Sequence, residues 1–194
     1  MEKFKVIETP IKGLIVIETK VFRDDRGFFI ESYNKREFKE IGLDIEFVQD
    51  NHSFSRKGVL RGLHFQLKHP QGKLVRVISG RVFDVAVDLR PYSPTFGKWY
   101  GVELSGENAL QFYIPPGFAH GFIALEDNTH FLYKCTDFYY PNDELGIIWN
   151  DLDISVRWPV DNVKEIVISD KDRKLPTFSE VKDFLAKEES WRFL

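Results

Sequence analysis

The chain has 194 residues, 43% of them hydrophobic and 29% charged, proportions that can bury a sizeable core and exclude disorder, collagen and coiled coil. Its 27 basic and 30 acidic residues leave a formal net charge of −3, so no global positive field exists to hold nucleic acid or anionic lipid, and any anion site must be local. The departure from average is aromatic: 18 Phe, 7 Tyr and 4 Trp stand beside one Met and one Cys.

In chain order, β-branched and aromatic runs bounded by Gly, Pro, Asn or Asp predict strands at 14–22 and 28–33. A short helix follows at 34–41, with Gly42 just past its end. Further strands are predicted at 73–80, 81–90, 99–105, 110–115, 122–126 and 130–140. Ser79-Gly80, Ser105-Gly106 and Asp127-Asn128 are short turn signals between such runs. They predict hairpins, and with them an antiparallel sandwich or barrel, rather than long crossovers. The charge-free stretch from Asn108 to Leu125 is broken by Pro115, Pro116, Gly117, His120 and Gly121, which makes it strand, turn and strand, not a membrane span. A second helix is predicted from Thr177 to about Lys187, opened by a capping box of Thr177 and Glu180, with Val181, Phe184 and Leu185 on one face. The terminal AKEESWRFL carries Trp191 and Phe193, rings expected to dock on the body or on a partner subunit. No linker or repeat divides the chain, so a single domain over 1–194 is expected. Cys135 has no partner for an internal disulfide, and the apolar run at 13–17 is too short for a signal segment; both point to the cytoplasm.

Scattered histidines and Pro-Gly turns in an all-β chain pose the question of a metal barrel. Metal cupins carry His-x-His and then Glu in a first motif and Pro-x-Gly-x-x-His in a second. The second has a counterpart in Pro115-Pro116-Gly117-Phe118-Ala119-His120. The first is altered to His64-Phe65-Gln66, with Lys73 at the glutamate position. An amide is a poor ligand and an ammonium sits where the ion belongs, so no metal is expected. What remains is a barrel pocket holding His64, Lys73 and His120. A neutral imidazole takes a proton near neutral pH, and an ammonium stabilises an enolate oxygen in a dry pocket. Base plus cation suggests proton abstraction beside a carbonyl; the bland alternatives are a satisfied structural histidine and a solvated lysine at a strand end.

Longer blocks sharpen this. Val59-Leu60-Arg61-Gly62-Leu63-His64-Phe65-Gln66 and Gln71-Gly72-Lys73-Leu74-Val75-Arg76-Val77 are preceded by Asp24-Asp25-Arg26-Gly27-Phe28-Phe29-Ile30-Glu31 and Phe47-Val48-Gln49-Asp50-Asn51. They are followed by Phe83-Asp84-Val85-Ala86-Val87-Asp88-Leu89-Arg90, by Ile114 to Phe122, by Tyr133-Lys134-Cys135-Thr136 and by Ser169-Asp170-Lys171-Asp172. In this order the blocks resemble the dTDP-4-dehydrorhamnose 3,5-epimerases. The resemblance implies an all-β, cupin-type jelly-roll barrel with short flanking helices, needing no cofactor. It implies a substrate, a nucleotide-linked 4-keto-6-deoxy sugar, whose C4 carbonyl acidifies the protons on C3 and C5. By the same resemblance His64 is the general base, Asp172 its carboxylate partner, Tyr133 the acid on the opposite face and Lys73 the enolate's cation. Arg26 and Arg61 would hold the diphosphate. Glu31, Gln49, Asn51, Glu144 and Lys171 match nucleotide or sugar contacts, His120 lines the sugar pocket, Tyr139 stacks on thymine and Phe29 is a second aromatic contact. Without the resemblance, the run Phe138-Tyr139-Tyr140 reads as strand core. The family is a homodimer, which implies that the N-terminal strands, about 1–50, lie at the dimer interface and that Arg26 acts in the partner's site. Rival readings are a single-centre epimerase of a related keto sugar and a non-catalytic sugar-nucleotide binder. The latter is expected to lack His64 or Asp172, and both are present.

Overall fold

The computed structural model describes residues 2–189, 191 and 194. Five strands precede the family-like His64 block: β1 Phe4–Glu8, β2 Ile15–Thr19, β3 Val21–Asp24, β4 Gly27–Ile30 and β5 Gln49–Ser55, with helix α1 at Lys35–Glu40 between the last two. Then come β6 Leu60–Gln66, β7 Lys73–Ser79, β8 Arg81–Asp88, β9 Trp99–Ser105, β10 Leu110–Ile114, β11 Phe118–Ala124, β12 Thr129–Cys135, β13 Glu144–Gly146 and helix α2 Phe178–Leu185. They form a six-stranded sheet of order β1-β2-β10-β7-β12-β5, a five-stranded sheet of order β13-β6-β11-β8-β9, and a separate ribbon of β3 and β4. All pairings between these strands are antiparallel. The sheets face one another in the jelly-roll manner.

Alternation along each strand makes three apolar layers. Val75, Val77, Phe112 and Phe131 from one sheet meet Val82, Ala86, Phe118 and Phe122 from the other. The outer face of the five-stranded sheet, through Leu63, Phe65, Val85, Val87 and Ile123, is covered by Trp158, Val181, Leu185 and Trp191. Ile17, Leu74 and Tyr113, on the outer face of the larger sheet, pack under Phe38 and Leu43. Both helices are fixed by local chemistry. The Asn34 side chain accepts from the N–H groups of Arg36 and Glu37, and the Thr177–Glu180 capping box is formed. Trp191 is 1% exposed and donates from Nε1 to Leu67 O at 2.6 Å; Phe193 lies outside the described residues.

Several expectations need correction. The three turns foreseen as hairpins join strands of different sheets: β7 to β8 at Gly80, β9 to β10 at Gly106, β11 to β12 at Asn128. Turn residues reverse the chain, but which sheet receives it is decided by the core between the sheets. The predicted strand 14–22 breaks at Lys20 into β2 and β3, and the strand at 28–33 stops at Ile30. The strand predicted at 130–140 ends at Cys135, and Phe138, Tyr139 and Tyr140 are 55%, 46% and 37% exposed. They form a loop, not strand core. β5 and β6 were not foreseen, because β5 alternates polar with polar and β6 is interrupted by Gly62.

Candidate active site

Beside the central core lies a cavity of about 700 Å³ between the inner faces of the sheets. Period two selects which side chains enter it. Lys73 shares its face of β7 with core Val75 and Val77, and Tyr133 shares its face of β12 with Phe131; His120 alternates with Ala119, which packs outward. His64 lies directly opposite His120 in the β6–β11 pairing, which shifts register between His120 and Phe122. That irregularity needs glycine on both strands. A Cβ on Gly62, at φ +107°, would fall 2.6 Å from His120 O, and one on Gly121 would fall 2.5 Å from Arg61 O.

His64 Nε2 is 2.8 Å from Asp172 Oδ1, and Asp172 Oδ2 accepts the Gly62 N–H at 3.1 Å. Burial pushes the Asp172 carboxyl up, but the hydrogen bond and charge of His64 and the Gly62 N–H outweigh it and hold it below the usual carboxylate range. An ionised carboxylate only accepts, so Nε2 carries a proton, and whenever the imidazole is neutral it is Nδ1 that keeps the lone pair. Nδ1 lies 4.0 Å from Glu144 Oε1. Across the cavity, Lys73 makes no hydrogen bond or ion pair with another described residue. Its Nζ is 6.0 Å from the Tyr133 ring. Burial pushes the Lys73 ammonium down against the pull of Cys135, Glu144 and Asp84. Burial also pushes the Tyr133 phenol up to about 12. A second pair lies deeper: His120 Nε2 is 2.9 and 3.0 Å from the Asp84 carboxylate oxygens, and Asp84 is 0% exposed. Burial pushes Asp84 up and His120 down, each partly restored by the other's charge. Phe131 stacks on Phe122 at 4.2 Å and reaches His120 at 6.1 Å, an apolar floor for the space above.

Polar groups ring the mouth. Arg61 donates to Ser55 Oγ and Phe54 O at 3.3 and 3.2 Å. The Tyr139 hydroxyl donates to Glu144 at 2.9 Å, Lys171 pairs with the same carboxylate, and the Tyr139 N–H donates to Gln49 Oε1 at 2.9 Å. Gln49 in turn donates to Asn51 at 3.1 Å. Burial raises the Glu144 carboxyl, yet Lys171, His64 and Tyr139 together hold it below the usual range. The chain's own cavity therefore gathers Gln49, Asn51, Arg61, His64, Lys73, His120, Tyr133, Tyr139, Glu144 and Asp172, with Lys171 at its edge. It does not gather Arg26, Phe29 or Glu31. Arg26 and Phe29 ride on the exposed β3–β4 ribbon, where Arg26 pairs with Asp24 and Phe29 is 66% exposed; Glu31 bonds Lys3 and Asn34, both at 3.0 Å. Ser53, Gln71 and Ser169 line the cavity without having been foreseen. Ser53 Oγ is buried and has no hydrogen-bond partner among the described residues. Asp84 was within reach of sequence reasoning: it shares its strand face with Val82 and Ala86 inside a nearly continuous apolar run that reads as buried on both faces.

A model of the family described as dTDP-4-dehydrorhamnose 3,5-epimerase matches residues 8–180. The Shigella flexneri protein of that name is 57% identical over 169 residues, 86% of this chain and 92% of that one. Among solved structures, a dTDP-6-deoxy-D-glucose-3,5-epimerase from Legionella pneumophila, in complex with dTDP-4-keto-L-rhamnose, aligns at TM-score 0.88 and 49% identity over 91% of this chain and 93% of that one. A 3'-monoepimerase from Streptomyces bikiniensis, in complex with dTDP-quinovose, aligns at TM-score 0.84 but 29% identity, over 96% and 98%.

Proposed function

The chain belongs to the dTDP-4-dehydrorhamnose 3,5-epimerase family, and from that premise we propose that it inverts C3 and C5 of dTDP-4-dehydro-6-deoxy-D-glucose, giving dTDP-4-dehydro-L-rhamnose. One observation carries the chemistry: a histidine with an ionised carboxylate behind it faces, across one cavity, a lysine and a half-buried phenol from the opposite sheet. Nδ1 of His64 takes the proton from the carbon beside the C4 ketone, and the electron pair moves onto the ketone oxygen. The Lys73 ammonium stabilises that oxygen, and its lowered pKa strengthens it as a donor. Tyr133, kept neutral by burial, returns a proton to the opposite face, and the centre is inverted. The imidazolium and the phenolate then exchange with solvent, so the cycle balances and can repeat at the second carbon.

In this reading Arg61 holds the diphosphate, Tyr139 stacks on thymine, and Gln49, Asn51, Glu144, Lys171 and His120 contact the nucleotide or sugar. Arg26, Phe29 and Glu31 serve the site of a second copy in a homodimer, which agrees with their position away from the chain's own cavity. The nearness of the relatives favours double over single inversion, since the monoepimerase is 29% identical against 57% for the Shigella protein. Proton NMR of the dTDP-linked 4-keto sugar in deuterated water tests the whole reading. Two exchanged carbons are expected with the native chain and none with His64→Ala, while dTDP affinity is largely kept. Near-normal deuterium incorporation by His64→Ala removes the base assignment.

A further inference from the structure

Gln66 occupies the place of the second histidine in a metal barrel, yet it is not among the residues lining the cavity. It is 4% exposed, and its amide is turned to the loop that follows β12. Oε1 accepts the Tyr140 N–H at 2.8 Å, while Nε2 donates to Phe138 O at 3.1 Å and to His69 O at 2.7 Å. Both chain neighbours of Tyr139 are thus tied to one buried amide. The same loop is held from the other side by the Asp143 carboxylate, which accepts the His69 N–H at 2.8 Å, and by the His69 ring, which stacks on Tyr140 at 4.1 Å. The Tyr139 ring itself stays 46% exposed at the cavity mouth.

We propose that Gln66 is a positioning residue for the nucleobase: it presets the backbone on which Tyr139 presents its ring, so that the base meets an ordered stacking surface. The inference rests on the reading of Tyr139 as the thymine-stacking residue. The residue type follows from the bonds. An amide accepts and donates at once, as one N–H and two carbonyls require; a carboxylate only accepts and an apolar side chain does neither. A loop ordered before binding spares the ligand the entropy of ordering it.

The test uses inhibition of the epimerase by dTDP, which carries the base, and by inorganic pyrophosphate, which does not. Gln66→Met keeps length and burial and removes the amide. The expected result is a rise of about tenfold in Ki for dTDP, equivalent to about 1.4 kcal/mol, with Ki for pyrophosphate within about twofold of native. In a Tyr139→Ala background the same change is expected to add less than about twofold, because the ring it serves is gone. Equal rises for both inhibitors, or the full rise in the Tyr139→Ala background, overturn the role of Gln66 while leaving Tyr139 intact as a stacking residue. If Tyr139→Ala alone leaves the ratio of the two Ki values unchanged, the stacking reading fails and this inference with it. Should Gln66→Met not fold, Gln66→Glu keeps the bond to Tyr140 and loses both donations; a smaller rise in the same ratio is expected, and an unchanged ratio overturns the proposal.

Discussion

Asp172 and Asp84 are both buried carboxylates bonded to a histidine, yet their environments pull them apart. Asp172 gains the Gly62 N–H besides His64 and is held below the usual range, whereas Asp84, with His120 as its partner, is pushed above it by burial. The first arrangement fixes a tautomer and stabilises an imidazolium; the second shares a charge weakly and suits orientation of His120. Asp172→Asn is therefore expected to lower kcat/KM by about 10²–10⁴, in line with the loss of a carboxylate behind a catalytic imidazole. The dTDP dissociation constant should change by less than about threefold. Steady-state rates beside a binding titration check this, and a loss of activity matched by lost affinity would contradict it. His64 and Lys73 could be picked out as candidate base and cation from motif and residue chemistry, Tyr133 as a candidate acid only through the family resemblance. The tautomer was not legible, because it depends on Asp172, far along the chain, and on which ring nitrogen that carboxylate meets.

The strands carry these residues, and the close approach of β6 and β11 aims them. With Arg61 O only 2.5 Å from where a Gly121 Cβ would stand, Gly121→Ala forces one strand to shift. The expected cost is about 1–3 kcal/mol, seen as a drop of several degrees in thermal midpoint. Isotope exchange should fall with it, because His64 and His120 no longer face each other in register. A variant that melts and turns over like the native chain would show that the contact is relieved elsewhere. The α2 cap was readable in advance because Thr177 and Glu180 are neighbours along the chain. β5 was not, because Gln49, Asn51 and Ser53 turn to the cavity while Asp50 and His52 turn to solvent, so no apolar alternation marks it.

The β3–β4 ribbon leaves Phe22, Phe28 and Phe29 at 38%, 59% and 66% exposure, and the ribbon carries Arg26 away from the chain's own cavity. If Arg26 completes a partner's site, Arg26→Ala and His64→Ala chains complement one another. A mixed dimer holds one intact site and one doubly defective site, so after equal mixing and statistical reassembly about a quarter of native activity is expected. Activity no higher than the mean of the two separate variants would place Arg26 in its own chain's site. Acid acts on the fold as a unit. Asp88, Glu144 and Asp172 are all held below their usual range by hydrogen bonds that outweigh burial. Their stabilisation is therefore complete above the ordinary carboxylate pKa of about 4 and is lost as pH falls through the lower folded values. Asp84, raised by burial, contributes in the opposite sense, but its partner His120, pushed down by burial, takes up a proton on unfolding and adds to the loss in acid. Urea midpoints should fall steeply below about pH 4, and a flat profile from pH 7 to 3 would contradict this balance.

The strand-rich class, the antiparallel pairing, the existence of both helices, the capping box of the second and the candidacy of His64 and Lys73 as base and cation could be read from the sequence alone. Each rests on short-range pattern or on side-chain chemistry that does not depend on distant neighbours. Which sheet each turn leads into, which side chains share the cavity, and how burial moves Asp84, Lys73 and Tyr133 were decided only by the tertiary structure. Burial and distance are properties of two sheets closing on each other, and no single stretch of chain contains both. The aromatic excess divides on the same line: composition foretold rings in the core, but only the fold separates Phe112 and Phe131, sealed between the sheets, from Tyr139, held by its backbone at the mouth of the site.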